Sequence, residues 1–205
     1  NRLATALGVF GVFVILVIVY IGTRPLWCYA DTHLYTTMFK LVQTGIWENF
    51  KDAEREPIWT YIANLHVKYA DASTWLFTIS GIYLGGMTYA AYKWLPRHFF
   101  IAIIFLVTAF SFWGYATNGI RHGMATSIAL IGLTFFNQSK SKMVVAYSFL
   151  IIATLIHTSI LLVVASVTIA MFLKNTKQNI YIWLICIALS YLLQEPLKTI
   201  MSTLI

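Results

Sequence analysis

The sequence consists largely of long apolar runs separated by short polar segments. A membrane-spanning helix needs about 20 apolar residues, with a range of roughly 17–25. Charged residues make up only 10% of this chain and hydrophobic ones 60%, whereas an average soluble domain has roughly 25% charged residues. This pattern excludes a soluble enzyme, a disordered chain and a disulfide scaffold. The runs that fit membrane spans are Leu3–Gly22, Ser73–Tyr92, His98–Trp113, Ile120–Asn137, Met143–Leu173 and Ile180–Leu193.

The run Met143–Leu173 is too long for one span, and His157 at its centre is its only ionisable acid or base. A single helix of that length, rising 1.5 Å per residue, would extend well beyond a ~30 Å hydrocarbon core. We therefore expect two crossings that meet near His157. The sequence thus predicts an all-α polytopic membrane protein with about seven spans, in which residues 1–205 form a single membrane domain. Because the chain lacks an initial Met and ends in an apolar stretch, we expect a piece of a longer protein.

The charges are distributed unequally between the two expected sides of the membrane. Cytoplasmic loops are enriched in Lys and Arg, and two crossings in Met143–Leu173 place seven basic residues and no acid on that side. All seven acids and the other seven basic residues then lie outside, so the inner side carries the whole net charge of +7. The basic excess therefore reflects topology, and no nucleic-acid partner is expected. The residues expected inside are Arg2, Lys93, Arg97, Lys140, Lys142, Lys174 and Lys177.

The first outer loop, residues 23–71, is the longest polar segment. Within it, Asp31–Thr44 and Pro57–Tyr69 have the amphipathic pattern of helices that lie in the membrane interface. The first of these has Leu34, Met38, Leu41 and Val42 on one side, and Thr32, Thr36, Lys40 and Gln43 on the other. Aromatic residues are expected at the headgroup level; those of this loop are Trp27, Tyr29, Trp47, Trp59, Tyr61 and Tyr69.

Four polar clusters lie close to the expected outer membrane surface. A charged side chain at a helix centre costs roughly 2.5–3.5 kcal/mol, so polar residues retained near a membrane are candidates for function. Each also has a structural explanation. Asp31 and Glu56 can cap helices, while Arg24 can anchor the chain at the interface. Arg121 can extend to headgroups, and His157 can be a structural histidine. Their common side favours one shared outward site. The clusters are Arg24-Pro25 with Asp31, Thr32 and Tyr35; Glu54-Arg55-Glu56-Pro57; Asn118 to Gly123; and His157-Thr158-Ser159.

Arg121 is the strongest single candidate for binding an anion. It opens an apolar helix and has no acid within a helical turn. Its planar guanidinium suits a phosphate or carboxylate group. Asn118 and His122 share its turn, and the flanking Gly119 and Gly123 would let a ligand or a backbone approach closely.

Motifs for nucleotides, metals and redox cofactors are missing from the sequence. There is no GxGxxG, Walker A, HExxH or CxxC pattern, and Asp52-Ala53-Glu54 is only a loose form of a paired-carboxylate metal motif. No cofactor and no metal ligand is therefore expected.

The order of the polar clusters resembles the EpsG family, which comprises Wzy-like membrane polymerases of bacterial exopolysaccharide, capsule and O-antigen. The resemblance extends roughly from Gly22 to Ser166. The family more often has Gln after its Arg, where this chain has His122. The matching elements are Gly22-Thr23-Arg24-Pro25, Asp31-Thr32 with Tyr35, Glu56-Pro57-Ile58-Trp59, Asn118-Gly119-Ile120-Arg121-His122-Gly123-Met124-Ala125 and His157-Thr158-Ser159.

The resemblance implies a glycosyltransferase that joins glycan repeat units carried on undecaprenyl diphosphate at the outer face of the bacterial cytoplasmic membrane. Its substrate would be a lipid-linked oligosaccharide; membrane lipids, a flippase and a chain-length regulator would be its partners. Arg121 would neutralise the leaving diphosphate, and Asp31, Glu56 or His157 would act as the base. The expected catalytic residues are Asp31, Glu56, Arg121 and His157, and the expected substrate-binding residues are Arg24, Tyr35, Asn118 and His122.

Three alternatives remain open from the sequence. The first is a transporter or flippase subunit for lipid-linked sugars, which would place polar residues at mid-membrane and contain repeats or broken helices. The second is a membrane acyltransferase that uses His157 as base. The third is a scaffold subunit of an export complex.

Overall fold

The computed structural model describes residues 2–50, 56–136, 138–173, 175, 177, 180–188 and 192. Within the described residues up to Phe172, every regular element is helical, which confirms the all-α prediction for that part of the chain. The chain divides into two compact units, Asn1–Leu161 and Leu162–Ile205. The α-helices are α1 (Arg2–Gly22), α2 (Ala30–Gln43), α3 (Pro57–Tyr69), α4 (Ala72–Trp94), α5 (Phe99–Thr108), α6 (Phe110–Thr117), α7 (Ile120–Leu133), α8 (Lys140–Ile156) and α9 (Leu161–Phe172), with a 3-10 helix at Thr158–Ile160.

Helix length alone does not identify the membrane spans. In the described part of the chain, no single helix combines the length and the hydropathy of a complete span. The helices α5 and α6 meet that criterion only as a pair, and they are bent by 75° relative to each other. The expected seven spans therefore stay a prediction.

The run His98–Trp113 is not the single helix that the sequence predicts. Ala109 has extended backbone angles (φ −75°, ψ 132°) and separates α5 from α6. A break in a helix leaves carbonyl groups without their usual partners. Here the indole N–H of Trp113 donates to the carbonyl of Val107 at 2.8 Å. The hydroxyl of Thr108 donates to the carbonyl of Phe105 at 2.9 Å. Side chains therefore stabilise a bend that no Pro or Gly marks.

The break predicted near His157 is confirmed. His157 has extended backbone angles (φ −153°, ψ 119°) and ends α8, and the 3-10 helix follows it directly. At the other end of α8, the Ser139 hydroxyl caps the helix by accepting from the N–H of Lys142. The two membrane crossings inferred from this break stay a prediction.

Helix α4 lies at the centre of the first unit, where it packs against α1 and α7, while α7 packs against α8. Glycines permit the close approach of these helices. A Cβ atom on Gly86 of α4 would lie 2.9 Å from the Cβ and 3.0 Å from the carbonyl oxygen of Ser127 on α7. A Cβ atom on Gly132 of α7 would lie 2.9 Å from the carbonyl oxygen of Ala146 on α8.

We expect Gly86→Ala to destabilise the protein by roughly 1–3 kcal/mol, because the added methyl group forces α4 and α7 apart. The neighbouring Gly85→Ala is the matched control, since a Cβ atom there would meet nothing within 4 Å. That control should be neutral or slightly stabilising, because Ala favours a helix over Gly by roughly 0.5–1 kcal/mol. Thermal unfolding of the purified protein in detergent measures both; equal melting temperatures would contradict the close packing.

The two helices predicted in the outer loop are present as α2 and α3, but two residues of the polar side predicted for α2 are buried against the rest of the protein. Leu34 is 47% exposed, whereas Thr32, Tyr35, Thr36 and Phe39 are buried. The hydroxyls of Thr32 and Thr36 donate to backbone carbonyls at 2.6 Å and 2.8 Å. Because these polar atoms are hydrogen-bonded, burying them carries little penalty.

An aromatic cluster fixes this loop against α4. Trp59, which the sequence places at the membrane interface, is instead fully buried, while the other five aromatic residues named there are exposed. Trp75 of α4 lies at the centre of the cluster, with its ring centroid 5.3–6.1 Å from those of its four neighbours. Burial of these large rings holds α2 and α3 against α4, and this fixes the position at which α3 begins. The four neighbours are Tyr35, Phe39, Phe50 and Trp59.

Candidate active site

The carboxylate of Glu56 joins three segments that are distant in the sequence. Its Oε2 accepts a hydrogen bond from Nη1 of Arg121 at 2.7 Å. Its Oε1 accepts from Nδ1 of His157 at 2.6 Å and from the backbone N–H of Thr158 at 3.2 Å. The start of α3, the start of α7 and the end of α8 therefore meet at one acidic group.

Local chain geometry explains why these three side chains are presented at helix ends. Pro57 opens α3, where its missing N–H causes no loss. Glu56 precedes it at the cap position, but its side chain makes no capping bond to α3 and contacts Arg121 and His157 instead. Arg121 lies in the first turn of α7, and the backbone of His157 leaves the helical conformation.

The three side chains differ in their access to solvent. The Glu56 side chain is 6% exposed, whereas those of Arg121 and His157 are each 24% exposed. A carboxylate only accepts hydrogen bonds, so Nδ1 of His157 carries the proton shared with Glu56. Its Nε2 is then the acceptor nitrogen of the neutral ring. The arrangement therefore provides a carboxylate-oriented base beside a guanidinium group.

Arg121 also lies over an aromatic ring. Its guanidinium carbon is 5.4 Å from the centre of the Tyr35 ring, and Tyr35 is buried in the aromatic cluster. A cation over an aromatic face is stabilised by roughly 0.5–2 kcal/mol. Tyr35, expected to bind substrate, thus holds the Arg121 side chain from one side, while Glu56 holds it from another.

His122 occupies a second position beside the base. Its ring stacks on Tyr115 with a centroid distance of 4.7 Å, and it meets the ring of His157 edge to face at 5.2 Å. Its Nδ1 lies 2.9 Å from the hydroxyl oxygen of Ser159. Sequence reasoning assigned no role to Tyr115 or Ser159, although Ser159 belongs to the cluster that begins at His157.

Arg24 belongs to an adjoining network. Its Nε donates to the hydroxyl oxygen of Thr32 at 3.0 Å, and its Nη1 donates to the carbonyl of Ile21 at 2.7 Å. Burial lowers the pKa of Arg24 to about 10, so the guanidinium is still charged at neutral pH. The hydroxyl of Thr32 in turn donates to the carbonyl of Thr117. Arg24 therefore holds α2 against the turn that precedes Arg121.

Asn118 strengthens the same connection. Its Oδ1 accepts from the backbone N–H of Asp31 at 3.1 Å. Asp31 lies in the first turn of α2, after Tyr29 at the cap position, so its interpretation as the helix cap is wrong. The contacts described here form two adjoining sets, one around Glu56 and one joining Asp31 to Asn118. A single shared site that includes Asp31 stays a prediction.

Two further sequence features concern metal binding. The segment Asp52-Ala53-Glu54 lies outside the described residues. Among the residues that the structure describes, no three His, Cys, Asp or Glu side chains are grouped to hold a metal ion.

Comparisons with known proteins point to one family. No curated protein and no solved structure matches the chain. The family model of the EpsG family matches residues 8–205, a range that contains every site residue described above. The resemblance seen in the sequence is thereby confirmed: the chain belongs to the EpsG family.

Proposed function

We propose that this protein is a glycosyltransferase that joins glycan repeat units carried on undecaprenyl diphosphate. The EpsG family indicates a polysaccharide polymerase-like function in a membrane setting. The observation that carries the proposal is the Glu56 carboxylate, which binds Arg121 through one oxygen and His157 through the other. Transfer of a sugar from a lipid diphosphate is assisted by a base for the acceptor hydroxyl and by a cation for the leaving diphosphate. The Glu56 carboxylate binds a candidate for each, His157 as the base and Arg121 as the cation.

The proposed reaction begins at a sugar hydroxyl of the acceptor repeat unit. Nε2 of His157 takes the hydroxyl proton as the oxygen attacks the anomeric carbon of the donor glycan. The bond between that carbon and the diphosphate oxygen breaks, and its electron pair leaves with the diphosphate. Glu56 stabilises the imidazolium, and Arg121 neutralises the charge that develops on the leaving group. The products are a longer lipid-linked glycan and undecaprenyl diphosphate. A diphosphate is already a good leaving group, so this route does not require a metal.

The adjoining residues support these groups in the proposal. Arg24 and Asn118 position the turn before Arg121, and Tyr35 orients the Arg121 guanidinium. Asp31 is the second candidate base, because its helix is bound to Asn118 three residues before Arg121. A flippase would deliver the repeat units to the outer face, and a chain-length regulator would limit their number.

Deletion and complementation in the producing bacterium tests the function. Without the gene, we expect single lipid-linked repeat units to accumulate at the outer face and polymer to disappear from gels. The wild-type gene should restore polymer, whereas His157→Ala should lower the rate by about 10²–10⁴-fold, the usual contribution of a general base. The exposed His33→Ala is the matched control. Repeat units that accumulate at the cytoplasmic face would indicate a flippase, and polymer that loses only acyl groups an acyltransferase.

The outward location of the site predicts a labelling pattern. In a variant whose Cys28 and Cys186 are replaced by Ser, a membrane-impermeant thiol reagent added outside should modify Glu48→Cys and miss Ser141→Cys. Glu48 and Ser141 are both exposed in the structure. Cells permeabilised before labelling should modify both cysteines, which controls for reactivity. Thr176→Cys should also be missed from outside, and its modification there would contradict the two crossings in Met143–Leu173.

A further inference from the structure

A second histidine, paired with a hydroxyl, lies beside the proposed base. His122 contacts Ser159 through Nδ1, and its ring lies edge to face with that of His157. The 3-10 helix Thr158–Ile160 contacts the surroundings of both histidines. The N–H of Thr158 donates to the same Glu56 oxygen as His157, and the hydroxyl of Ser159 contacts His122. Each imidazole is therefore oriented through Nδ1, one by a carboxylate and the other by a hydroxyl.

The two partners differ in the hydrogen-bonding roles that they allow the two rings. The carboxylate of Glu56 accepts, so His157 carries its proton on Nδ1 and presents Nε2 as an acceptor. A serine hydroxyl can donate or accept, and that of Ser159 lies 2.9 Å from Nδ1 of His122. If Ser159 donates, the neutral His122 carries its own proton on Nε2 and presents a donor.

The described contacts of His122 include no carboxylate, unlike those of His157. A proton taken up by His157 is stabilised by the adjacent carboxylate of Glu56. The contacts around His122 are the hydroxyl of Ser159, the ring of Tyr115 and the ring of His157. Two imidazolium ions with ring centres 5.2 Å apart would repel each other.

We propose that Ser159 is a positioning residue that fixes His122 in the Nε2–H tautomer, so that the site recognises the acceptor sugar through two neighbouring oxygens. One oxygen gives its proton to His157, and the adjacent one accepts from His122. A ring separation of 5.2 Å allows oxygens of one sugar ring to reach both imidazoles. The substrate part of this inference rests on the proposed function; the tautomer part does not.

The tautomer is measured on the full chain without substrate. We would label histidine with ¹⁵N and record imidazole spectra in lipid nanodiscs at a pH where the rings are neutral; loss of one signal in His122→Gln assigns it to His122. The wild type should show a protonated Nε2 and a bare, hydrogen-bonded Nδ1. Ser159→Thr should keep that signature and Ser159→Ala should give a mixture of tautomers. A wild-type proton on Nδ1, or an unchanged spectrum in Ser159→Ala, would overturn the proposal.

Kinetics test the recognition of the acceptor. The purified protein would be assayed with lipid-linked repeat units extracted from cells that lack the gene. Ser159→Ala should raise KM about three- to tenfold with a smaller change in kcat, as expected for a weakened neutral hydrogen bond. Ser159→Thr should restore KM, and the exposed Ser148→Ala, on α8, should behave as wild type.

The two readouts separate failure of the inference from failure of the proposed function. An active wild type whose KM is unchanged by Ser159→Ala would overturn two-oxygen recognition. A wild type that makes no polymer would overturn the proposed function and with it the recognition step. The spectra would still decide whether Ser159 fixes His122.

Discussion

Glu56→Gln is expected to lower polymer formation by about 10³–10⁴-fold, comparable to the ~10⁴-fold loss when the carboxylate that orients a catalytic histidine is changed to an amide. Glutamine has nearly the same shape, but it offers one acceptor oxygen where glutamate offers two. The structure directs three donors at those oxygens, from Arg121, His157 and Thr158. The amide NH₂ would face one of these donors, so either Arg121 or His157 loses its orientation.

The measurement is polymer length and amount on gels, with the level of the protein in membranes recorded beside it. Glu48→Gln makes the same chemical change at an exposed position and is the matched control. Because Glu56 is buried and pairs two basic groups, the melting temperature of Glu56→Gln should be measured as well. Polymer at wild-type levels from a stable Glu56→Gln protein would contradict the central role of this carboxylate.

Local signals in the sequence were sufficient for the helices that surround the site. Pro57 after Glu56 correctly marked the start of α3, and the amphipathic pattern correctly marked its end at Tyr69. The position of His157 in a run too long for one span gave the break after α8. These features depend on residues close together in the chain, so they can be predicted without knowledge of the fold.

The contacts between segments could not be predicted in the same way. The acid that pairs with Arg121 is 65 residues away in the sequence, so a search within a helical turn could not find it. The bend at Ala109 depends on the indole of Trp113, which reaches back to Val107. Tryptophan is a residue type typical of the membrane interface, yet Trp59 is buried because it packs against Trp75. Each outcome is decided by a tertiary partner.

Arg121→Ala is expected to abolish visible polymer, since the loss of one preorganised contact to developing charge typically lowers the rate by 10²–10³-fold. Arg121→Lys should leave at most weak activity, because an ammonium group cannot reproduce the planar fork of a guanidinium. The exposed Arg97→Ala is the matched control. Membrane levels of all variants should be measured with the polymer, since Arg121 also neutralises Glu56.

The contact with Glu56 raises a structural explanation that a charge swap can separate from catalysis. If Arg121 serves only to neutralise a buried carboxylate, loss of activity in Arg121→Ala would follow from an unpaired charge, which typically costs 3–5 kcal/mol of stability. The double variant Glu56→Arg with Arg121→Glu restores an ion pair between the same two positions. It should recover part of the melting temperature lost in Arg121→Ala and yet make no polymer, because the cation no longer lies at the start of α7 and His157 no longer meets a carboxylate. Recovery of polymer in the swapped protein would show that the pair is structural and would remove Arg121 from the proposed mechanism.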